Sequence, residues 1–469
     1  MKKKKNLILE NIKLISAGAK GVAVGKTEEG KTVLVSGAVP GDVVHAKVRK
    51  AKSKYFEAEV AEIVEKSPFR VEPKCIHFGV CGGCKWQNLS YEKQLEFKND
   101  EVFNNIKRIG GIENFESLPI LGAEEHYFYR NKMEFSFSNA RWLTQYEISS
   151  EENFGNKDAL GFHIPGMWSK ILDLKECFLQ ESPSNEIRLA VKKFAVENGL
   201  SFFDVRNQEG FLRTMMLRQN SKGEWMVLFQ LYRQEKENQE KLFQFLLNEF
   251  PQIKTLLFCI NSKQNDSLYD QNVQTYFGDG FLMEEMDGLK FKIGPKSFFQ
   301  TNYKQALELY RKTLEFADLK GDEVVYDLYT GTGTIAQYVA RNAKHVIGIE
   351  SVQEAIDAAI EHAELNGLTN TTFYCGDMKN VFNDEFLENH PKADVLITDP
   401  PRDGMHQKVV EQILKLAPKR IVYVSCNSAT QARDLALMKE QYKVVKILPV
   451  DMFPQTHHVE NIAVLERLD

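Results

Sequence analysis

The chain has 469 residues, 43% of them apolar and 27% charged, with only 14 Pro and 29 Gly. This composition excludes disordered, fibrous and membrane-spanning proteins and predicts two to four domains. The net charge of −5 excludes a uniformly basic nucleic-acid-binding protein. Seven unevenly spaced cysteines and no apolar signal-peptide core predict a cytoplasmic protein whose cysteines are thiols, metal ligands or catalytic groups.

The N-terminal segment is basic although the whole chain is acidic. Residues 1 to 74 hold sixteen Lys and Arg against nine Asp and Glu. Short β-branched runs, separated by turns near Gly30 and Gly41, predict a five-stranded barrel of the oligonucleotide-binding type at residues 1 to 67. A solvated surface would give the same charge pattern. The alternative is a phosphate-binding strand and turn formed by Lys47, Arg49, Lys50, Lys52 and Lys54.

A cysteine motif follows the barrel, with Cys75, Cys81 and Cys84 within ten residues. Three thiols so close together, with two glycines between the last two, predict a metal or cluster site. An all-cysteine site needs a fourth thiolate, and Cys177 is the best candidate. An iron-sulfur cluster is favoured over zinc, although zinc can use the same four thiolates. The five residues between Cys75 and Cys81 do not match the cluster spacing of radical S-adenosylmethionine enzymes.

Residues 68 to 290 predict a central α+β domain. Apolar residues recur at helical spacing from Tyr91 to Ile109, and four later runs are typical of strands. Cys259 lies inside one of these runs and is predicted to be a packing residue. Arg130 and Lys132 lie on an aromatic-rich strand, where they either contact RNA or occupy an exposed strand face.

Residues 291 to 469 predict a doubly wound sheet. Seven strand-like runs alternate with helical stretches, and the last two runs form a closing pair. In such sheets ligands bind beyond the carboxyl ends of the strands. Cys375 lies within the third run and is predicted to be a small buried hydrophobe.

Polar residues follow the strands of this sheet. A glycine-containing loop after the first strand and Glu350 at the end of the second form a ligand site that dinucleotide enzymes also have. The later strand ends carry Asp377, the sequence Asp399-Pro-Pro-Arg402, and Cys426. Together these features resemble the S-adenosylmethionine pocket of a Rossmann-like methyltransferase.

Nearly the whole chain resembles the bacterial RNA uracil-C5 methyltransferases. Within this family it is most similar to the iron-sulfur branch, whose members form 5-methyluridine in 23S ribosomal RNA. These enzymes also carry a TRAM domain, a small RNA-binding barrel. The resemblance is carried by the four cysteines and by SFFQTN at 297 to 302, DLYTGTGT, DPPRDG, VSCNS and FPQTHHVE, which ends at Glu460. The chain departs from the family at Ser428, where Pro is usual, and at Thr334, where an Asn-containing form is usual.

The resemblance implies a role for each site residue. Cys426 would add to C6 of uracil, and Glu460 would remove the C5 proton. Phe298 would stack on the target base, and Asp399 would accept the uracil N3–H. The residues expected to bind S-adenosylmethionine are Gln300, Tyr329, Gly331, Thr334, Glu350, Asp377 and Asp399. A [4Fe-4S] cluster would be held by Cys75, Cys81, Cys84 and Cys177.

The same resemblance favours 23S ribosomal RNA as the partner, with tRNA as the alternative, and a monomer that does not bind membranes. Two rival functions remain. An amino-group methyltransferase would also use an Asp-Pro-Pro sequence, but its reaction needs no covalent cysteine. A non-catalytic RNA-binding or assembly protein would keep the fold, but the presence of both Cys426 and Glu460 favours catalysis.

Overall fold

The N-terminal part of the chain is a closed five-stranded barrel. The computed structural model describes residues 7–150 and 157–469, and the basic run at residues 2–5 lies outside them. The strand order is β1-β2-β3-β5-β4, and alternate side chains such as Leu14, Val35 and Val44 fill the interior. This confirms the predicted barrel. Its strands are β1 (Ile8–Ala17), β2 (Ala23–Lys26), β3 (Thr32–Ser36), β4 (Val43–Ala51) and β5 (Tyr55–Glu65).

The five basic residues predicted to follow one strand lie on β4 and in the turn after it: Lys47, Arg49, Lys50, Lys52 and Lys54. Arg49 forms an ion pair with Glu59 at 2.5 Å. Lys50 lies 3.9 Å from Glu57. Strand β5 therefore balances part of the charge on β4, whereas the two lysines of the turn are exposed.

Residues 75–89, which contain the cysteine motif, are called the cysteine segment below. Helix α1 (Tyr91–Arg108) and the short strand β6 (Glu116–Ser117) follow this segment. The central domain comes next and contains a seven-stranded sheet in the order β13-β12-β11-β10-β7-β8-β9. Two helices, α3 and α4, pack their apolar faces on this sheet. Cys259 is fully buried on β12, which confirms its predicted position in the core. The elements are β7 (Lys132–Ser138), α2 (Gln145–Ser149), β8 (Ala159–Ile164), β9 (Met167–Asp173), α3 (Ser184–Glu197), β10 (Leu212–Gln219), β11 (Trp225–Leu231), α4 (Lys236–Glu249), β12 (Ile253–Ile260) and β13 (Gln274–Phe277).

The C-terminal part is a doubly wound sheet that follows the hairpin of β14 (Leu282–Met286) and β15 (Leu289–Ile293). All seven predicted strands are present, in the order β18-β17-β16-β19-β20-β22-β21. The elements are α5 (Tyr303–Ala317), β16 (Val324–Leu328), α6 (Thr334–Ala340), β17 (His345–Glu350), α7 (Gln353–Leu365), β18 (Thr371–Cys375), α8 (Met378–Val381), α9 (Asp384–Asn389), β19 (Val395–Thr398), α10 (Gln407–Leu416), β20 (Arg420–Ser425), α11 (Ser428–Met438), β21 (Tyr442–Val450) and β22 (Glu460–Arg467).

The strand order reverses at β16, whose parallel neighbours are β17 on one side and β19 on the other. A ligand crevice is expected at this switch point, beyond the carboxyl ends of the strands. Strand β22 is antiparallel to both β20 and β21. Strand β22 therefore begins at the end of the sheet where the carboxyl ends of the parallel strands lie.

Helix α1 and β6 pack on this sheet although they precede the central domain in the chain. Val102 and Ile106 of α1 belong to the core formed by α10, α11 and the sheet, and β6 pairs in parallel with β21. The domain boundaries at residues 67 and 290 stay predictions. The contacts add that a segment between those boundaries stabilises the C-terminal sheet.

The structure corrects one prediction in this sheet. Cys375 is exposed rather than buried, and its Sγ lies 3.7 Å from the carbonyl oxygen of Ser351. The physical reason is the position of β18 at the edge of the sheet, where side chains are only partly covered. Among residues 7–150 and 157–469, no helix combines the length and apolar character that crossing a membrane requires.

Candidate active site

The loop after β16 borders the crevice at the switch point. Tyr329, Gly331 and Gly333 have positive φ angles of 62°, 56° and 75°. No atom lies within 4 Å of the position that a Cβ would take at Gly331. At Gly333 a Cβ would lie 2.9 Å from Ala359 Cβ. The loop therefore faces open space at Gly331 and needs a glycine at Gly333 for close helix packing. Thr334 begins α6 and is buried.

Glu350, at the end of β17, is hydrogen-bonded to this loop. Its Oε2 accepts from the backbone N–H of Gly331 at 3.1 Å. Its Oε1 accepts from the backbone N–H groups of Ser351 and Val352 at 2.7 and 3.1 Å. These bonds fix the carboxylate at the rim of the crevice, where it is partly exposed.

Asp377 follows β18, the strand next to β17. It is exposed, and its carboxylate accepts from Lys379 N at 3.2 Å and pairs with Lys379 Nζ at 3.0 Å. The hydrogen bond from Lys379 lowers the pKa of Asp377 below its ordinary value. The structure thus brings Glu350 and Asp377 to neighbouring strand ends, where the sequence pattern predicted them.

The register of β20 and β22 brings Cys426 and Glu460 together. The two strands are antiparallel, and their last pair is Ser425 opposite Asn461. Cys426 directly follows Ser425 and Glu460 directly precedes Asn461, so the register brings both residues to the same end of the two strands. The Glu460 carboxyl group is near enough to act electrostatically on the Cys426 thiol. Asp399 follows the neighbouring strand β19, so Asp399, Cys426 and Glu460 lie at the same end of the sheet.

These three groups form an acidic site in which Glu460 is buried and Cys426 and Asp399 are partly buried. Burial raises the pKa of Glu460 to about 8, and the nearby Asp399 acts in the same direction. Burial also raises the pKa of Asp399 to about 7. Burial, followed by Glu460 and Asp399, raises the pKa of the Cys426 thiol to about 11, while Arg402 partly opposes this effect. Without a bound ligand, Cys426 is therefore mainly a thiol and Glu460 mainly protonated at neutral pH.

Hydrogen bonds join the Cys426 loop to the Asp-Pro-Pro-Arg loop. The side chains of Asn427 and Thr430 donate to the carbonyl oxygen of Arg402 at 2.9 and 3.0 Å. Ser428, where the family usually has Pro, accepts from Asn105 Nδ2 of α1 at 2.9 Å. The departure at Ser428 thus supplies a contact between the reaction-centre loop and α1.

The segment 297–302 lies between the central domain and the C-terminal sheet. Asn131 Nδ2 donates to the carbonyl oxygen of Gln300 at 3.0 Å. The buried Arg218 donates to the carbonyl oxygens of Gly294 and Ser297 at 3.0 and 3.1 Å. Phe298 remains 68% exposed. Its ring is held on an anchored backbone with a face open to a partner.

The four predicted cysteine ligands line one pocket of about 460 Å³, although Cys177 is far from the others in the sequence. Burial raises the pKa of Cys84 to about 11 and that of Cys177 to about 12. The backbone N–H of Cys177 donates to Asn185 Oδ1 at 2.9 Å. In the described part of the chain, no three His, Cys, Asp or Glu side chains are grouped so that they could hold a metal ion as they stand.

Comparisons with known proteins agree with this geometry. The sequence profile of the tRNA (uracil-5-)-methyltransferase family matches residues 275–468, and that of the TRAM domain matches residues 14–61. An uncharacterized RNA methyltransferase of Bacteroides thetaiotaomicron is 51% identical over 96% of this chain and 99% of its own. Another, from Porphyromonas gingivalis, is 49% identical over 97% of this chain and 99% of its own.

The chain belongs to the RNA uracil-C5 methyltransferase family. The crystal structure of the Pyrococcus abyssi tRNA (uracil-54, C5)-methyltransferase in complex with S-adenosyl-L-homocysteine is also similar, with a TM-score of 0.74 and 29% identity. The similarity covers 96% of this chain and 99% of that one. As a member of this family, the protein is an RNA methyltransferase that uses S-adenosylmethionine.

The sequence analysis did not predict several residues that support the active site of this RNA uracil-C5 methyltransferase. Arg218 is one, because its partner Gly294 lies 76 residues away. Lys98 is another, and it forms a fully buried ion pair with Asp451 at 2.6 Å. One signal was available for Lys98, since helical periodicity places it on the same buried face of α1 as Gln94 and Val102.

Proposed function

We propose that the protein methylates C5 of a uridine in RNA, with Cys426 as the nucleophile and Glu460 as the base. The observation that carries this proposal is the register of β20 and β22, which brings a thiol to the same end of the paired strands as a carboxyl group whose pKa is raised to about 8. A buried carboxyl group with such a pKa is suited to proton transfer near neutral pH.

The reaction begins at C6 of uracil, because C5 alone is a weak nucleophile. The Cys426 thiol first loses its proton to solvent, its thiolate adds to C6, and the electron pair of the C5–C6 double bond moves towards C5. S-adenosylmethionine, when bound, would supply an electrophilic methyl group: C5 would form a bond to it while the bond from that methyl group to sulfur breaks and S-adenosylhomocysteine leaves. Glu460 then removes the C5 proton, the double bond reforms, and Cys426 leaves as a thiolate.

The electrostatics of the site fit this order of steps. Formation of the Cys426 thiolate is opposed by Glu460 and Asp399 when they are ionised, and it is favoured by Arg402. A cationic methyl donor also favours the thiolate. Once the methyl group has been transferred, that positive charge is gone. The pKa of Glu460, which the cationic donor lowers, then returns towards its ligand-free value of about 8, which makes its carboxylate a stronger base for the second half of the reaction.

The residues at the switch point fit S-adenosylmethionine. Gly331 faces open space, and Glu350 is fixed by backbone donors while keeping oxygen lone pairs for ribose hydroxyls. We assign cofactor contacts to these two residues and to Gln300, Tyr329, Thr334, Asp377 and Asp399. On the RNA side, Phe298 would stack on the flipped uracil and Asp399 would accept its N3–H.

We assign the pocket lined by Cys75, Cys81, Cys84 and Cys177 to a [4Fe-4S] cluster. A single zinc ion needs all four sulfurs at about 2.3 Å. In a four-iron cluster each thiolate binds its own iron, so the thiols lie further apart. The observation that supports the assignment is that all four cysteines line one pocket. Iron and sulfide in comparable amounts in anaerobically purified protein support the assignment, and stoichiometric zinc without sulfide refutes it.

The proposed substrate is 23S ribosomal RNA, and the proposed enzyme is a cytoplasmic monomer. tRNA is the second candidate, because the similar Pyrococcus abyssi enzyme is named for uracil 54 of tRNA. The test is to incubate the protein with methyl-labelled donor and unmethylated 23S or tRNA transcripts, then digest the RNA to nucleosides. Label in 5-methyluridine from only one transcript identifies the substrate. Label in methylated adenosine, or no label, contradicts the proposal.

A further inference from the structure

The segment 451–459, between β21 and β22, ends at the proposed base Glu460. It has no regular secondary structure, so other parts of the chain must satisfy its buried backbone groups. The carbonyl oxygen of Met452 accepts from Asn302 Nδ2 at 3.0 Å. That of Pro454 accepts from the Tyr129 hydroxyl at 3.0 Å. This segment, called the base loop below, is therefore held by contacts from several parts of the chain.

Helix α1 holds the start of the base loop through a buried ion pair. Lys98 Nζ donates to Asp451 Oδ1 at 2.6 Å and to the carbonyl oxygen of Phe453 at 3.2 Å. The Tyr91 hydroxyl donates to the other oxygen of Asp451 at 2.9 Å. Lys98 and Asp451 are both fully buried. Each charge is compensated inside the protein rather than by water, which fixes the loop to one face of α1.

Gln94, one turn earlier on α1, holds the middle of the base loop. Its Oε1 accepts from the backbone N–H of Gln455 at 2.9 Å, and its Nε2 donates to Gln455 Oε1 at 3.0 Å. Gln94 Nε2 also donates to the carbonyl oxygens of Trp86 and Leu89 at 3.0 and 2.9 Å. One fully buried amide thus joins the base loop to the cysteine segment.

The cysteine segment contacts the same residue of the loop directly. The backbone N–H groups of Lys85 and Trp86 both donate to the carbonyl oxygen of Gln455, at 2.9 and 3.0 Å. Gln455 has a φ of 67°, a conformation that persists only when its surroundings hold it. Cys84 is the residue before Lys85, so the end of the cysteine motif is connected to the base loop by backbone hydrogen bonds.

We propose that Gln94 is a positioning residue for Glu460, and that through it α1 and the cysteine segment control the proton-removal step. The proposal rests on the catalytic roles assigned above. Cys426 lies at the end of β20, whereas Glu460 directly follows the base loop. Loosening the loop should therefore leave addition of Cys426 and methyl transfer nearly intact and slow removal of the C5 proton.

The test variant is Gln94→Met, which keeps the side-chain length and removes all four hydrogen bonds. We expect a covalent protein-RNA adduct that carries methyl label to accumulate, and turnover to fall at least about tenfold. The rate of adduct formation should change by less than about threefold, because this step does not use Glu460. The adduct is measured as a denaturant-resistant band on a gel after rapid mixing with RNA and labelled donor.

The matched control is Val102→Ala, on the same buried face of α1 but within the core of the C-terminal sheet. It should lower the thermal midpoint without accumulating adduct. Gln455→Asn is a milder variant, since Asn tolerates a positive φ but is too short to keep the side-chain bond to Gln94. It should accumulate less adduct than Gln94→Met and tests the proposal if Gln94→Met does not fold.

Glu460→Gln, measured in parallel, distinguishes a failure of the proposed catalytic roles from a failure of the positioning role of Gln94. If it traps no adduct, the roles assigned to Cys426 and Glu460 are wrong. If it traps adduct but Gln94→Met and Gln455→Asn behave like Val102→Ala, the positioning role of Gln94 is overturned. Equal slowing of adduct formation and product release in Gln94→Met also overturns it, because that result indicates a general loss of folded enzyme.

Discussion

The reaction centre and the cysteine pocket are assembled in different ways. Cys426 and Glu460 lie at the adjoining ends of two paired strands, so the register of the sheet brings them together and the base loop refines the position of Glu460. The four cysteines lie in loops around a pocket. Sheet pairing pre-organises the first site without any ligand, whereas loops of this kind depend on a bound group to hold them. The two sites should therefore respond in opposite ways to loss of a thiol.

The largest expected effect is on activity. Cys426→Ala removes the nucleophile that activates C5, so we expect no detectable 5-methyluridine. Binding of cofactor and RNA, iron content and thermal midpoint should stay close to those of the wild type, because the sheet does not depend on this thiol. Nucleoside analysis after incubation with labelled donor checks the first point. Methylation by Cys426→Ala would show that this cysteine is only a packing residue.

The converse effect is expected at the pocket. Cys177→Ala removes one proposed cluster ligand, and we expect loss of iron and sulfide with a thermal midpoint lowered by at least about 5 °C. Folded yield or RNA affinity should fall more than methyl transfer per folded molecule. Cys259→Ala is the control, because Cys259 is a buried thiol away from the pocket. Unchanged iron content in Cys177→Ala would remove this cysteine from the ligand set.

A smaller expected effect is on the free energy of unfolding, which the buried Glu460 lowers at high pH. The folded-state pKa of Glu460 is raised from 4.5 to about 8, so the native state binds more protons than the unfolded state between these values. Its contribution to stability is thus fully present below about pH 4.5 and is lost as the pH rises through about 8. Glu460→Gln does not titrate, and should be more stable than the wild type by up to about 4 to 5 kcal/mol at pH 8.5.

Denaturant unfolding of both proteins at pH 5 and pH 8.5 measures this difference. The gap between them should be much smaller at pH 5, where Glu460 is protonated. Both proteins keep the buried Asp327, whose pKa is raised to about 7 mainly by burial, so its titration largely cancels in the comparison. A gap that does not change between the two pH values would show that Glu460 is not held in a buried, uncharged form.

The smallest expected effect is on RNA binding by the barrel. Lys52 and Lys54 are exposed in the turn after β4, and each phosphate contact contributes about 0.7 to 0.9 to the slope of log affinity against log salt. Lys52→Ala/Lys54→Ala should lower this slope by about 1.5. Arg49→Ala/Lys50→Ala should lower the slope less, because Arg49 is already paired with Glu59 at 2.5 Å and is less available to a phosphate. Equal slopes in all three proteins would indicate that the turn is only a solvated surface.

The sequence by itself determined the elements whose signals are local. Seven strands of the C-terminal sheet, the barrel and α1 were predicted because apolar periodicity and turn residues report on neighbouring positions. The glycine loop and the strand-end residues Glu350 and Asp377 followed from the same logic. The prediction for Cys375 was wrong, since a strand pattern does not indicate whether the strand lies at the edge of the sheet.

Only the tertiary structure decided which distant residues meet. Cys426 and Glu460 are brought to the same end of the sheet by the register between two strands, and Lys98 pairs with Asp451, 353 residues away in the chain. Such pairings depend on how whole elements pack, and no local period encodes them. The same packing turns helix α1, a plain amphipathic pattern in the sequence, into the support of the loop that ends at Glu460.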